Sequence, residues 1–249
     1  MLKCRVIPVL LIEDDGLVKT TKFKNPKYLG DPVNTVRIFN TKEVDEIFIL
    51  DIVASKNKSG PNFSLISEIA SEAFMPLCYG GGIRNINDAE KLFSSGVEKI
   101  SIQTSAFKDL ELVKKISQKY GSQAVVVSID LKRDLFGRVK IFNNSKKENW
   151  INFAKNAVKF GAGEIFINSV NQDGTLSGPD LELISELCNE ISVPLTYAGG
   201  VGSLNDIKKV ANAGASGIAA GAFFVFQGSL RAVLISYPKY EDLENLFKL

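Results

Sequence analysis

Two short glycine clusters in this chain could bind phosphate groups. Residues 80–82 and 199–200 are glycines that follow short apolar runs and precede helix-like segments. Glycine lets the backbone approach a ligand closely, and a helix N-terminus offers free N–H groups to an anion. With the next loops of the same kind, the candidate phosphate-binding residues are Gly81, Gly82, Gln103, Thr104, Gly199, Gly200, Gly221 and Ala222. Two such sites predict a substrate with a phosphate at each end; tight turns without a ligand are the alternative.

Three carboxylates that follow apolar runs could transfer protons: Asp51, Asp130 and Asp173. Asp130 ends the apolar run AVVVSID, so we expect it in a partly dry pocket. There its pKa would be raised and general acid–base catalysis would be possible. Its alternative roles are to cap the next helix or to pair with Lys132. Asp51 could equally be structural, through hydrogen bonds across the mouth of the site.

The chain contains no histidine. This excludes Ser-His-Asp and Cys-His catalysis and histidine-ligated zinc, so any proton transfer falls to Asp, Glu, Lys, Tyr or Cys. The three cysteines have no metal-like spacing, and their odd number argues against a disulfide framework. We therefore expect no metal, no cofactor and a reducing, cytoplasmic location.

Four charged residues lie at or near the beginnings of strand-like runs: Arg5, Glu46, Lys99 and Glu164. Charges that point into a protein interior are costly unless they pair with one another. Two cations and two anions would allow a closed ring. From the residues alone, a structural plug or ordinary surface salt bridges are the favoured interpretation.

The chain repeats itself at an offset of 118 residues. VDEIFILDIVAS (44–55) aligns with AGEIFINSVNQD (162–173), MPLCYGGGI (75–83) aligns with VPLTYAGGV (193–201), and Gly96 aligns with Gly214. One offset held over three blocks indicates that a half-length unit was duplicated, with halves of about 1–120 and 121–249. A binding site in one half therefore has a candidate twin in the other.

Apolar runs of strand length alternate with amphipathic segments along the chain. The predicted strands are 5–11, 46–51, 76–80, 97–102, 124–130, 164–169, 193–198 and 216–221. The predicted helices lie near 32–42, 62–73, 86–95, 108–119, 148–160, 180–191 and 204–213, with a last one from about 229. Eight such units in two equal halves predict one (β/α)8 barrel domain over 1–249, with its active site at the C-terminal ends of the strands. A doubly wound open sheet is the alternative.

The composition is that of an ordinary soluble protein, with 45% hydrophobic and 23% charged residues and a net charge of +2. This balance gives no electrostatic reason to expect nucleic acid or a membrane surface as a partner. Lysines do cluster at Lys19, Lys22, Lys24 and Lys27. That segment is either a solvated loop or a lid over an anionic substrate.

These features together resemble the cyclase subunit of imidazole glycerol phosphate synthase, over nearly the whole chain. The stretches that carry the resemblance are RVIPVLLIEDDGLVK, GDPV, DEIFILDI, GGGIR, VEKISIQTSA, GSQAVVVSID, GAGEIF and QDGTLSG. The resemblance implies a (β/α)8 barrel with a phosphate site in each half. It also implies a partner glutaminase at the barrel floor, whose ammonia travels through the barrel to a phosphorylated substrate.

The resemblance also implies roles for single residues. The four strand-start charges match a family ring that gates ammonia, which reverses the interpretation from the residues alone. Asp173 and Gly174 join the phosphate-binding residues, and Lys19 belongs to a substrate lid. The family's catalytic carboxylates end strands one and five; Asp130 matches the second, but Leu11 occupies the first position and cannot transfer a proton.

Two further departures affect the same end of the barrel. Gln103 stands where the family has asparagine, and Asn171 stands where it has aspartate. Asp51 and Asn171 are possible supporting residues. We therefore expect intact ammonia handling, with imidazole ring closure in question.

A paralogous branch of the family, encoded with surface-polysaccharide genes, resembles the chain at these departures. The relevant stretches are VLLIEDDGLVKTTKFKNPKYLGDPVN, FMPLCYGGGIR and FVFQGSLRAVLISYP. That branch helps to install acetamidino groups on nucleotide-activated sugars. The implied role is to supply ammonia that converts an acetamido C=O into an amidine, and a separate ATP-using amidotransferase would activate the oxygen, because nothing here resembles an ATP site.

Two alternatives stay open. The chain could synthesise imidazole glycerol phosphate in histidine biosynthesis, with Asp130 acting alone or helped by Asp14. It could also be a non-catalytic subunit that only conducts ammonia and docks its partners.

Overall fold

The computed structural model describes residues 4–144, 148–228 and 230–248, and eight parallel strands in it close a barrel. The strands are β1 (Arg5–Glu13), β2 (Ile47–Asp51), β3 (Leu77–Gly80), β4 (Lys99–Ile102), β5 (Val125–Arg133), β6 (Glu164–Ser169), β7 (Leu195–Ala198) and β8 (Gly217–Ala220). Each strand pairs with the next, and β8 returns to pair with β1. The closure confirms the predicted (β/α)8 barrel and excludes the open sheet.

Eight helices follow the eight strands and cover the barrel. They are α1 (Pro32–Asn40), α2 (Phe63–Glu72), α3 (Ile86–Ser94), α4 (Glu111–Tyr120), α5 (Trp150–Lys159), α6 (Leu181–Cys188), α7 (Leu204–Asn212) and α8 (Tyr240–Phe247). Polar residues cap the N-termini of five of them, and each accepts a backbone N–H of the first turn: Asp31, Asn62, Asn85, Asn149 and Ser203. These caps satisfy donors that the helix itself leaves unpaired. Among the described residues, no helix is long and apolar enough to cross a membrane.

The last helix begins later than the sequence predicts. The predicted start is near residue 229, a position outside the described residues, whereas α8 begins at Tyr240. Before it, Phe226–Gln227 and Ala232–Val233 pair as a short antiparallel hairpin. Pro238 disfavours helical geometry at the residue before it, so the helix starts only after this proline.

The loop after β1 forms a hairpin. Gly16–Thr21 and Lys24–Gly30 pair antiparallel, and the first of these strands also pairs with the end of β1. The lysine-rich segment is thus an ordered extension of the sheet, which we call the first-loop hairpin (16–30). A second short strand, Val139–Ile141, pairs with the end of β5. The two hairpins touch where the rings of Phe23 and Phe142 meet edge to face, with centroids 5.6 Å apart.

The duplicated halves have the same backbone conformation at the glycine clusters. Gly81 and Gly199 have φ angles of 124° and 113°, in the region that favours glycine. A Cβ on Gly81 would lie 2.5 Å from the carbonyl oxygen of Asp51, and one on Gly199 would lie 2.8 Å from that of Ser169. Asp51 and Ser169 are themselves 118 residues apart. Strand ends and loops therefore repeat along with the sequence.

We predict that Gly200→Ala destabilises the barrel by about 3 kcal/mol or more, whereas Gly137→Ala costs about 1 kcal/mol. Both glycines have positive φ, 83° and 77°. A Cβ on Gly200 would collide with the carbonyl oxygen of Gly178, but one on Gly137 would meet nothing within 4 Å. Urea unfolding of the two variants measures the difference. Equal losses would contradict the close approach of the two loops.

Candidate active site

A cavity of about 830 Å³ opens at the C-terminal ends of the strands. All eight strands or the loops that follow them contribute to its walls. It brings together fourteen of the residues that the sequence singled out: Leu11, Lys19, Asp51, Gly81, Gly82, Gln103, Thr104, Asp130, Asp173, Gly174, Gly199, Gly200, Gly221 and Ala222. These fourteen residues therefore share one cavity.

Asp130 is the carboxylate best placed for proton transfer. It lies at the end of β5, where one of its oxygens accepts a hydrogen bond from Gln103 Nε2 at 2.7 Å. Burial raises the pKa of Asp130 to about 6; the hydrogen bond from Gln103 opposes this shift, and the negative charge of Asp173 adds to it. The Lys132 ammonium group lies over the Phe142 ring, 5.5 Å from its centroid.

Leu11 occupies the wall opposite Asp130. β1 and β5 are four strands apart in an eight-stranded barrel, so their ends face each other across the cavity. The Leu11 side chain is nearly buried and lines the cavity. The position that would hold a second catalytic carboxylate is therefore an aliphatic wall, and Asp130 faces it without an acidic counterpart there.

Asp173 holds the first-loop hairpin over the cavity. One carboxylate oxygen accepts from Lys19 Nζ at 2.8 Å, and the other accepts from Thr20 Oγ1 at 2.9 Å and from the Phe23 N–H at 3.4 Å. Lys19 and Asp173 are 7% and 6% exposed, so this is a buried ion pair. The Asp173 carboxylate is thus engaged by the hairpin, and the charge of Lys19 is already balanced.

The loops after β4 and β8 have similar backbone conformations but differ in their side chains. Gln103 and Gly221 have similar conformations, with φ, ψ of −125°, −75° and −105°, −72°, and each precedes a short helix, Thr104–Lys108 or Ala222–Val225. Gly221 leaves room for Lys19, since a Cβ there would lie 3.0 Å from Lys19 Cε. Gln103 instead directs its amide to Asp130. The first-half loop therefore contacts the candidate acid, and the second-half loop contacts Lys19 of the first-loop hairpin.

The two supporting residues proposed from the sequence have local structural contacts. Asp51 accepts the N–H groups of Val53 and Ala54 at 2.9 and 2.7 Å, which stabilises the turn after β2 rather than bridging the mouth of the barrel. Asn171 exchanges two hydrogen bonds with the backbone of Arg133, at 2.8 and 3.3 Å. Asn171 braces the end of β5 and is not among the residues that line the cavity.

The cavity wall also includes polar residues that the sequence analysis did not single out, among them Ser101, Ser128 and Asn168. The hydroxyls of Ser101 and Ser128 hydrogen-bond to each other. The Oδ1 atom of Asn168 is buried and has no hydrogen-bond partner among the described residues. Ser101 and Ser128 precede Gln103 and Asp130 by two positions, so the period-two alternation of strands could have identified them.

At the opposite end of the barrel the four strand-start charges form a closed ring. Arg5 contacts both glutamates, Glu46 directly and Glu164 at 2.8 Å. Lys99 Nζ lies 2.8 Å from Glu46 and 3.0 Å from Glu164. Thr196 Oγ1 adds a 2.5 Å hydrogen bond to Glu164. Each anion therefore bridges both cations across the barrel floor.

Burial and pairing oppose each other in this ring. Glu46 and Glu164 are 1% and 3% exposed, which excludes ordinary surface salt bridges. Burial raises the pKa of Glu46 in spite of the two cations. Burial acts on Glu164 in the same direction, but Arg5, Lys99 and the hydroxyl of Thr196 hold its pKa below the ordinary value. The pKa of Lys99 is raised, because attraction to the glutamates outweighs its desolvation.

The fold and the cavity define a (β/α)8-barrel protein with its candidate active site at the C-terminal face. Within the described ranges, no cluster of His, Cys, Asp and Glu is arranged to hold a metal ion. The sequence matches the family described as "Histidine biosynthesis protein" over residues 5–231, and the chain belongs to this family.

Relatives extend over the whole chain and are HisF-type proteins. The chain is 48% identical to the "Putative imidazole glycerol phosphate synthase subunit hisF2" of Pseudomonas aeruginosa, over 98% of this chain and 99% of the relative. It is 44% identical to the corresponding "hisF3" of Vibrio vulnificus, over 100% and 98%. It is 33% identical to the "Imidazole glycerol phosphate synthase subunit HisF" of Streptomyces coelicolor, over 92% and 93%. The resemblance seen in the sequence is confirmed at the level of the HisF family.

We predict that Asp130→Asn stabilises the protein in a pH-dependent way. The pKa of this carboxyl is about 6 in the folded protein, against an ordinary value of 3.8. The folded state holds the proton more tightly, so the carboxyl lowers stability as the pH rises from about 4 to about 6, and the deficit persists above that. The variant should gain about 3 kcal/mol at pH 7.5 and less than about 1 kcal/mol at pH 4. Urea unfolding at several pH values tests this; a gain independent of pH would contradict it.

For the floor ring, Lys99→Ala should cost about 3–5 kcal/mol, because it leaves two buried glutamates with one cation. The matched control is Lys155→Ala, which removes a 2.7 Å pair with Glu190 whose side chains are 41% and 44% exposed. That loss should stay below about 1 kcal/mol. Thermal or urea unfolding compares the two. Similar losses would mean that the ring carries no buried charge.

Proposed function

We propose that this chain receives ammonia at the barrel floor from a glutaminase subunit and uses it in the C-terminal cavity to aminate a phosphorylated substrate. The names of its relatives describe subunits of imidazole glycerol phosphate synthase, which supports a synthase of the lyase type. In its finer form, the proposal is acetamidino formation on a nucleotide-activated sugar. The substrate's phosphates would lie in the two glycine-lined loops.

The ring supports the entry of ammonia at the floor. Its four charges close the N-terminal end of the barrel, so a passage there would open by rearrangement of ion pairs. Beside it, Phe74 is 86% exposed and lies in a shallow recess with Asn40, Val44 and Met75. A large exposed aromatic residue suits a protein interface. We place the glutaminase on this face, and the ring would act as its ammonia gate.

The observation that supports acetamidino formation is that Leu11 lies on the wall opposite Asp130. In the family that the chain resembles, ring closure to imidazole uses two carboxylates; here only one of those two positions holds a carboxylate, Asp130, and it faces an aliphatic wall. Amidine formation needs only one base at this point. Ammonia attacks the amide carbon, ionised Asp130 takes a proton, and the former carbonyl oxygen leaves with the phosphoryl or adenylyl group that an ATP-using partner attached to it.

Imidazole glycerol phosphate synthesis is the second candidate, favoured by the names of the relatives and by the raised pKa of Asp130. A non-catalytic ammonia conduit is the third, and the aliphatic Leu11 favours it. The cysteines are free thiols, in keeping with a location in the reducing cytoplasm, which forms part of the proposal.

The test supplies the purified chain with an ammonium salt and the phosphorylated ribulosyl aminoimidazole carboxamide substrate. We expect wild type to turn over at least roughly a hundredfold more slowly than a two-carboxylate relative, because one proton-transfer group is absent. Leu11→Asp should raise the rate. A wild-type rate close to that of the two-carboxylate enzyme would overturn the sugar assignment in favour of histidine biosynthesis.

The conduit alternative is tested in the complex with the glutaminase and the ATP-using partner, with an acetamido nucleotide sugar as acceptor. Catalysis by Asp130 requires that Asp130→Asn lose at least roughly a hundredfold in coupled turnover. Unchanged turnover would assign the chain to ammonia conduction alone.

A further inference from the structure

The side-chain amide of Asn168 is a polar group of the cavity wall that the protein itself leaves unpaired. Asn168 lies on β6 and lines the cavity. Its Oδ1 atom is buried and has no hydrogen-bond partner among the described residues. Buried polar groups in native proteins are nearly always paired, and an unpaired one lowers stability. That cost is recovered when a bound ligand donates a hydrogen bond to the group.

The neighbours of Asn168 explain why it is unpaired. In the strand register it lies opposite Asp130 on β5 and Ala198 on β7. The Ala198 methyl group offers no hydrogen bond, and one Asp130 oxygen already accepts from Gln103. Phe166, two positions nearer the floor, shares the inward face of the strand and also lines the cavity. The amide of Asn168 therefore lies beside the candidate base, with apolar groups towards β7 and towards the floor.

The other half of the duplicated chain shows that the fold does not need a polar residue at this position. The counterpart of Asn168, 118 residues earlier, is Leu50, which also lines the cavity. Each of the two follows a phenylalanine by two residues and a glutamate of the charge ring by four. An aliphatic side chain thus fits this place in the repeated backbone. The packing of the strand does not require asparagine here.

We propose that Asn168 is a substrate-binding residue whose Oδ1 accepts a hydrogen bond from an amide N–H of the substrate, beside Asp130. This inference rests on the proposed function, in which the acceptor carries an acetamido group. The carbon that ammonia attacks is bonded to the nitrogen of that group. Holding the N–H on Asn168 therefore places the reacting carbon next to the carboxylate that takes the proton.

This contact selects the acceptor by its chemistry. An amide N–H donates to Oδ1, whereas an ester has no donor at that place and leaves Asn168 unpaired. Sites that hydrogen-bond a substrate group reject analogues without that group, because the buried partner then stays unsatisfied. The phosphorylated ribulosyl aminoimidazole carboxamide also carries amide N–H groups, so either candidate acceptor can make the contact.

The first experiment compares the stabilities of Asn168→Leu and Asn171→Leu by urea unfolding, without substrate or partner. Asn171 exchanges two hydrogen bonds with the backbone of Arg133, so its replacement should lower the urea midpoint by about 0.5 M or more. The Oδ1 atom of Asn168 has no such partner, so Asn168→Leu should keep or exceed the wild-type midpoint. A loss as large as that of Asn171→Leu would make Asn168 a structural residue and overturn the inference.

The second experiment measures the binding of two probes by isothermal titration calorimetry. They are uridine diphosphate N-acetylglucosamine and its 2-O-acetyl analogue, in which an ester oxygen replaces the N–H. Wild type should bind the amide at least roughly tenfold more tightly than the ester. Asn168→Leu should lose most of this preference by weakening the amide alone, and Asn171→Leu, the matched control, should keep it. An unchanged preference in Asn168→Leu, or none in wild type, would overturn the inference.

A second acceptor separates this inference from the proposed function. If wild type binds neither nucleotide sugar but converts the phosphorylated ribulosyl aminoimidazole carboxamide with an ammonium salt, the sugar assignment fails. Asn168→Leu should then raise the KM for that substrate at least roughly tenfold, and an unchanged KM would overturn the inference. A wild-type chain that neither binds nor converts any of these compounds would refute the proposed function, and the inference would fail with it.

Discussion

The parallel pairing of β8 with β1 is the constraint on which the rest of the structure depends. It runs from Arg5 opposite Gly217 to Pro8 opposite Ala220 and turns a sheet into a closed barrel. Closure gathers all strand C-termini around one cavity and all N-termini around one floor. Gly217 also leaves space at this seam, because a Cβ there would collide with Thr196 Oγ1 and lie 3.3 Å from the Arg5 guanidinium. The seam thus admits the arginine that completes the charge ring.

Within the closed barrel, the alternation of side chains along each strand arranges the inward-facing groups in layers of different polarity. The inward side chains of β6 show this order from the floor to the cavity. Glu164 lies in the charge ring, the apolar Phe166 follows, and Asn168 lies at the cavity. β2 follows the same sequence of charge, aromatic and cavity wall up to Leu50. Ionic, apolar and polar groups are stacked along one axis because each strand changes face at every residue.

The duplicated halves agree in backbone and differ in side chains. The 118-residue offset is kept by the strand ends, by the glycine turns and by Phe48 and Phe166. The loops above them have diverged. Ser55 accepts a hydrogen bond from the Gly82 N–H, while its counterpart 118 residues on, Asp173, binds Lys19 of the first-loop hairpin. The two halves therefore share a backbone frame and differ in the side chains that their loops present.

The sequence by itself determined the eight strands, the barrel, the repeat and part of the cavity wall, because period-two and helical patterns and glycine positions are local properties of the chain. It misplaced the start of α8, where a short local hairpin and Pro238 override the periodicity. The partners of the long side chains were decided only by the tertiary structure. From the residues alone, Arg5 and Glu164 could have faced solvent, and Asp173 could have faced a phosphate instead of Lys19. These residues are more than 150 positions apart, and only the closure and stagger of the barrel bring them within hydrogen-bonding distance.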